Sequence, residues 1–210
     1  SSEISLNNFY GIEIDDFASE MAILSLYIAQ HQMDSEFEKQ FTVKLKHLPL
    51  IENKNIVKAN AARIDWNDVC PNNGTDEIYL IGNPPYKGSK LQSISQKADF
   101  KAYFANEEYS KNLDYIAIWF VKGARDISET KAKLAFVSTN SVCQGEHVGI
   151  MFPKIFESNV EIGFAYTSFK WKNSARDNAG VTVAIINLRN SSKDNKYLFT
   201  DNIKNTVDDI

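Results

Sequence analysis

The stretch Ile78-Tyr79-Leu80-Ile81-Gly82-Asn83-Pro84-Pro85-Tyr86 decides how the rest of the chain is read. Its first half is a short apolar run of the kind that forms an interior strand. Its second half is a stiff loop with few backbone donors, because proline has no N–H and a fixed φ, and Pro85 also restricts Pro84 to extended conformations. In open α/β sheets ligands bind beyond the carboxyl ends of strands, and this loop is expected at such an end. The Asn83 side-chain oxygen and the Pro84 carbonyl are two acceptors that can take both hydrogens of a flat amine. An amine conjugated to a ring is a poor nucleophile, and it improves when acceptors let its nitrogen move toward a tetrahedral shape. Tyr86 adds a ring for stacking. The same Asn-Pro and Pro-Pro dipeptides also mark ordinary turns.

Working outward, Asn8-Phe9-Tyr10-Gly11-Ile12-Glu13-Ile14-Asp15-Asp16 predicts a short strand ending in acids. A helix follows at once, with Phe17, Met21, Leu24 and Ile28 at helical spacing and Asp15 or Asp16 as N-cap, fading near Met33-Asp34. A polar stretch leads to a second strand, Ile56-Val57-Lys58-Ala59-Asn60, and a loop at Pro71-Asn72-Asn73-Gly74 precedes the decisive run. Downstream, residues 113–127 predict a buried helix and residues 132–138 an interior strand ending at Thr139-Asn140-Ser141. This alternation predicts a mostly parallel sheet covered on both faces. Residues 161–168 and 181–188 are strand-like runs with no helix between them, and they predict an antiparallel hairpin. There is no internal repeat.

With 43% hydrophobic and 24% charged residues, the 210-residue composition is that of a globular domain and excludes global disorder. No run approaches the roughly 18 apolar residues of a membrane span, and no signal core opens the chain, so a cytoplasmic location is expected. Cys70 and Cys143 stand far apart, and His31, His47 and His147 lack metal-ligand spacing. Neither a disulfide framework nor a metal site is expected. The formal net charge of −4 lacks the basic footprint that phosphate binding usually leaves. Lysines do gather locally, at Lys87, Lys90, Lys97 and Lys101 after the loop, and at Lys170, Lys172 and Arg176 around Trp171. They read either as a local positive surface or as scattered solvated charges.

Taken in order, Gly11-Ile12-Glu13-Ile14-Asp15, Ala59-Asn60-Ala61, Gly82-Asn83-Pro84-Pro85-Tyr86, Ala135-Phe136-Val137-Ser138-Thr139-Asn140-Ser141 and Phe169-Lys170-Trp171 resemble the successive motifs of adenine-N6 DNA methyltransferases. More closely, Lys87-Gly88-Ser89-Lys90, Gln96-Lys97-Ala98-Asp99, Leu113-Asp114-Tyr115, Gln144-Gly145-Glu146 and Phe169-Lys170-Trp171-Lys172-Asn173 resemble the methyltransferase portion of single-polypeptide type II restriction–modification enzymes. The likeness covers nearly the whole chain. It implies a Rossmann-like class I methyltransferase of the α/β class, with a mixed sheet, helices on both faces and a C-terminal antiparallel hairpin. That family carries a first strand and a glycine-rich cofactor loop upstream of the Gly11–Asp15 element, and neither occurs here. Residues 1–210 are therefore expected to be a partial catalytic domain, inactive when isolated, with a target-recognition domain downstream and a fused nuclease in the parent chain.

The resemblance further implies S-adenosylmethionine as cofactor and double-stranded DNA with a flipped adenine as partner. Asn83, Pro84, Pro85 and Tyr86 then hold the target amine, and Phe169 or Trp171 stacks on the extruded base. Glu13 meets the cofactor ribose, Ile14 also binds the cofactor, and Asn60 and Ala61 meet its adenine, although Asn60 reads equally as a loop-closing asparagine. Residues 87–101 read as a lid over the base or as a solvated loop. No general base and no metal are required, since the methyl group of a sulfonium is already activated. Two other readings stay open, a protein glutamine or RNA N-methyltransferase using the same tetrapeptide, and an inactive structural or DNA-docking fragment.

Overall fold

The computed structural model describes residues 4–44, 54–105, 107–170, 181–200 and 203–207, in two compact units that divide between Pro71 and Asn72. In the first unit, β1 (Gly11–Glu13) leads into α1 (Asp16–Phe41), and β2 (Ile56–Lys58) lies parallel to β1. Asp15 starts the helix by accepting the Ala18 N–H on Oδ1 at 2.9 Å, as its position in the sequence predicts. The helix does not fade at Met33-Asp34. It continues to Phe41 and stops where Thr42 takes a left-handed conformation, φ 54°. Residues 35–41 carry little apolar periodicity but are mostly good helix formers, and the Phe37 and Phe41 rings meet one turn apart at 4.6 Å. The strands close tightly at Gly11, where a Cβ would stand 2.9 Å from Cδ1 of Ile56.

The second unit contains β3 (Tyr79–Gly82), α2 (Ile94–Phe104), α3 (Ala117–Ile127), β4 (Lys133–Thr139), α4 (Glu146–Phe156), β5 (Val160–Lys170), β6 (Thr182–Asn190), β7 (Lys196–Thr200) and β8 (Ile203–Val207). Its sheet runs β3-β4-β6-β5-β7-β8. The sheet is mixed, as the family resemblance implies. β3 is parallel to β4 and β5 to β7, whereas the β4–β6, β5–β6 and β7–β8 pairs are antiparallel. The predicted hairpin is present as β5–β6, and such a pair needs no crossover helix, so the alternation that held upstream stops there. Within residues 87–101, Ser89–Leu91 form a turn and Ile94 begins α2, so most of the stretch is helical rather than loop.

The core of this unit is built on α3. Ile116, Ile118, Phe120, Val121 and Ile127 are fully buried, with Leu134 of β4, Met151 and Ile155 of α4, and Ile186 and Leu188 of β6. Phe120 meets Phe136 edge to face at 5.5 Å, which ties the helix to the strand beside β3. Burial of each such side chain stabilises the fold by roughly 1.5–3 kcal/mol, so this layer is the rigid base from which the loops at the sheet's end project. No described helix is long and apolar enough to cross a membrane.

Candidate active site

The tetrapeptide leaves the sheet where the sequence predicts, at the carboxyl end of β3. Gly82 lies opposite Phe136, and the parallel neighbour β4 ends three residues later at Thr139. Pro84 is buried and Tyr86 half-buried, while Asn83 and Pro85 are exposed. The loop is thus rooted through one proline and presents the Asn83 side chain outward.

What fixes it lies immediately beyond Tyr86. The Lys87 N–H donates to Asp114 Oδ1 at 2.9 Å, and the Lys87 carbonyl accepts the Tyr115 N–H at 3.0 Å and the Gln92 Nε2 at 3.0 Å. Asp114 Oδ1 also takes the Ile116 N–H at 3.1 Å, and Gln92 Nε2 reaches the Leu113 carbonyl at 2.9 Å. Asp114 and Tyr115 are both buried, and the Tyr115 hydroxyl donates to the buried Asp99 at 2.6 Å. The approach to α3 and Gln92, between the turn Ser89–Leu91 and α2, therefore hold one peptide, Lys87, from both sides. Sequence reasoning missed Asp114, Gln92 and Asp99 as parts of the site. The available signal was an acid at the head of a run that is otherwise apolar, Leu113 to Phe120.

The sheet register brings Phe169 to the same end as the tetrapeptide. Phe169 lies opposite Val183, and Val183 opposite Thr139, so the carboxyl ends of β4 and β5 and the start of β6 share one edge with Asn83. At the usual 4.7–4.9 Å between strands, Phe169 stands three strand positions from β3, about 14 Å across the sheet. Its side chain is 36% exposed. Trp171, the other stacking candidate, lies outside the described residues.

In the first unit, Glu13 and Asn60 come to one strand end. Glu13 closes β1 opposite Lys58 of β2, and its carbonyl accepts the Ala59 N–H at 2.8 Å. The Glu13 and Ile14 side chains are exposed. Asn60 closes its loop, since Oδ1 accepts the Ala62 N–H at 2.9 Å while its carbonyl accepts the Arg63 and Ile64 N–H groups. The Ala61 carbonyl takes the indole N–H of the buried Trp66 at 2.9 Å. Glu13, Ile14, Asn60 and Ala61 thus flank the carboxyl ends of two parallel strands, the side of an α/β sheet at which nucleotides are held.

At the opposite, amino end of β3, the Tyr79 hydroxyl donates to Glu77. That bond, helped by the Lys133 ammonium, holds the Glu77 carboxyl below its usual range, and the same bond to Glu77 pushes the Tyr79 phenol up. Among the described residues no cluster of His, Cys, Asp and Glu is arranged to hold a metal ion.

Comparison with known proteins agrees with this geometry. The family described as MmeI, DNA-methyltransferase domain, matches residues 1–200. DNA methyltransferase A of Bacillus subtilis (strain 168) is 47% identical over 209 residues, which are 99% of this chain and 24% of that protein. The type IIL restriction–modification enzyme MmeI, solved in complex with DNA, superposes with a TM-score of 0.88 at 32% identity, over 98% of this chain and 28% of that one. The chain spans about a quarter of the length of each. With the mixed sheet, the antiparallel C-terminal strands and the tetrapeptide at the carboxyl end of β3, these matches establish that the chain belongs to the family of MmeI-type DNA-methyltransferase domains.

Proposed function

We propose that the chain carries the catalytic residues of an adenine-N6 methyltransferase acting on an adenine flipped out of double-stranded DNA, within a cytoplasmic restriction–modification protein. The observation that carries this reading is the Asn83-Pro84-Pro85-Tyr86 loop at the carboxyl end of β3, rooted by buried Pro84 and pinned at Lys87 by Asp114. The further length of the relatives is the expected place for nuclease and target-recognition domains.

The donor set of the first unit fits S-adenosylmethionine. The Glu13 carboxylate, exposed at the end of β1, suits a ribose diol, with Ile14 beside it, and Asn60 with Ala61 suits an adenine edge. When bound, that cofactor supplies an electrophilic methyl group on a sulfonium. The residues of the tetrapeptide act on the amine. Asn83 Oδ1 and the Pro84 carbonyl each accept one N6 hydrogen, and these bonds strengthen as nitrogen becomes tetrahedral and positive. The gain lies in alignment and in charge stabilisation, and one proton then passes to solvent without a general base on the chain. Tyr86 and Phe169 replace stacking that the flipped base has lost.

The test is product analysis. The intact protein, incubated with methyl-labelled cofactor and duplex DNA, is expected to yield labelled N6-methyladenine after nucleoside digestion. Label on cytosine, on a protein glutamine or on RNA alone would overturn the assignment.

A further inference from the structure

A groove of about 450 Å3 opens in the second unit between the turn Ser89–Leu91, helix α2 and residues 109–113. Lys90, Lys97 and Lys111 line it, one from each of these segments, together with Ser110 and Tyr109. The Tyr109 ring is braced from beneath, stacked on the buried Phe100 at 5.6 Å and Phe104 at 4.9 Å. Among the described residues no carboxylate lines the groove. Of the acids nearby, Glu107 pairs with Arg125 and buried Asp99 holds Tyr115, while Glu146 accepts from the lining Asn112 at 2.9 Å and Glu108, next to Tyr109, is exposed at the rim. Among the described residues none of the three lysines is ion-paired. On a chain of net charge −4 this is a local inversion of sign, made by cations converging from three directions.

Its position ties it to the tetrapeptide. Gln92, which forms part of the wall, donates to the Lys87 carbonyl, so the groove begins one hydrogen bond away from the residue that follows Tyr86. Lysine is a flexible point charge suited to phosphate, and contacts of this kind set the register of a nucleic acid without reading its sequence.

We propose that this groove is a backbone subsite, taking consecutive phosphodiesters of the DNA strand that presents its base to Asn83. The inference rests on the DNA reading above, and it assigns Lys90, Lys97 and Lys111 to holding the strand. Neutralising a phosphate releases counterions, so each such contact steepens the salt dependence of binding by roughly 0.9 in log K against log salt.

The experiment measures fluorescence anisotropy of a labelled duplex bound to the intact protein over a range of KCl concentrations. The combined substitution Lys90→Gln, Lys97→Gln and Lys111→Gln is expected to make the slope shallower by about 2 to 3. Lys193→Gln, beyond β6 at the far end of the sheet, is the control and keeps the wild-type slope. An unchanged slope in the triple variant overturns the proposal. So does a groove that serves a free anion, shown when inorganic phosphate raises the melting temperature of wild type but not of the triple variant while the DNA slope stays the same. Failure of the adenine reading is separate. A protein that shows the expected slope change yet methylates another atom keeps the phosphate groove and loses the N6 assignment.

Discussion

The buried Asp114 carboxylate accepts the backbone N–H of Lys87 at 2.9 Å, across 27 positions of sequence, and so fixes the peptide directly beyond the candidate amine-binding loop. The same oxygen takes the Ile116 N–H, so one acid organises both the approach to α3 and the exit of the loop. Asp114→Ala strands two backbone donors and is expected to cost about 1–3 kcal/mol for each that stays buried. Asp114→Asn keeps an acceptor at Oδ1. In the intact protein, denaturant unfolding and methyl-transfer rates measured on both variants should show the alanine change slowing transfer and the asparagine change restoring most of it. Wild-type transfer by Asp114→Ala would remove any positioning role.

Glu13 stands exposed at the end of β1, with the Asn60 loop closed by its own side chain at the end of β2. A carboxylate gripping ribose hydroxyls makes charge-assisted bonds worth about 1.5–3 kcal/mol. Glu13→Ala in the intact protein should therefore weaken S-adenosylmethionine roughly tenfold to a hundredfold by calorimetry. Unchanged affinity would return Glu13 to the role of a solvated strand end.

Much of this site was legible because its signals are local. The apolar run before Asn83, the two prolines and the alternation of residues 161–168 each depend on near neighbours, and β3, the tetrapeptide and the β5–β6 hairpin lie where they were expected. Helix α2 was less legible, although Ser93 and Gln96 form a reciprocal capping box at its start. Residues 87–101 read as a lid or a solvated loop, whereas Phe100 and Phe104 carry the packing of a helix. Strand β7 pairs parallel to β5 from more than 30 positions away, and short runs gain their identity from such tertiary pairing. Asp114 and Lys87 could not be linked by any periodicity, since nothing in either segment announces the other.

Gly163 is a similar long-range case. It sits within the irregular register between Ile162 and Ala165, where a Cβ would stand 2.6 Å from Asn187 Oδ1 and 2.7 Å from Arg189 Cδ. Arg189 is held there by Glu161 at 2.8 Å, and Lys196 joins from β7 at 3.3 Å, so the neighbours have little freedom to yield. Gly163→Ala should destabilise the protein by about 1–3 kcal/mol through overpacking. A shift of the urea midpoint checks this, and an unchanged midpoint would mean that β5 relaxes around the methyl group.

Asn83 separates binding from chemistry. Its side chain is exposed beyond β3, and its bond to the amine should strengthen only as nitrogen rehybridises. Asn83→Ala is accordingly expected to slow single-turnover methyl transfer by a factor of about 100 or more while changing DNA affinity by less than about tenfold. The reverse pattern, normal transfer with weak binding, would make Asn83 a docking residue.

Phe169 is the described candidate for the second face of the flipped base. The register carries it to the same sheet edge as Asn83, and a ring that is 36% exposed at a strand end contributes less to the core than an interior one. Stacking on an unpaired base is worth roughly 1–3 kcal/mol by alanine substitution, so Phe169→Ala should weaken capture of the extruded adenine by about tenfold or more. A fluorescent adenine analogue at the target position reports this directly in the intact protein, because its emission depends on what lies against its face. Trp171→Ala is the companion substitution. If Phe169 stacks, its variant changes the analogue's signal and melts close to wild type. If Trp171 stacks instead, the signal moves with that substitution and Phe169→Ala lowers only thermal stability. A signal unmoved by both, in folded variants, would take the β5–β6 end away from the base and leave Tyr86 as its one aromatic contact.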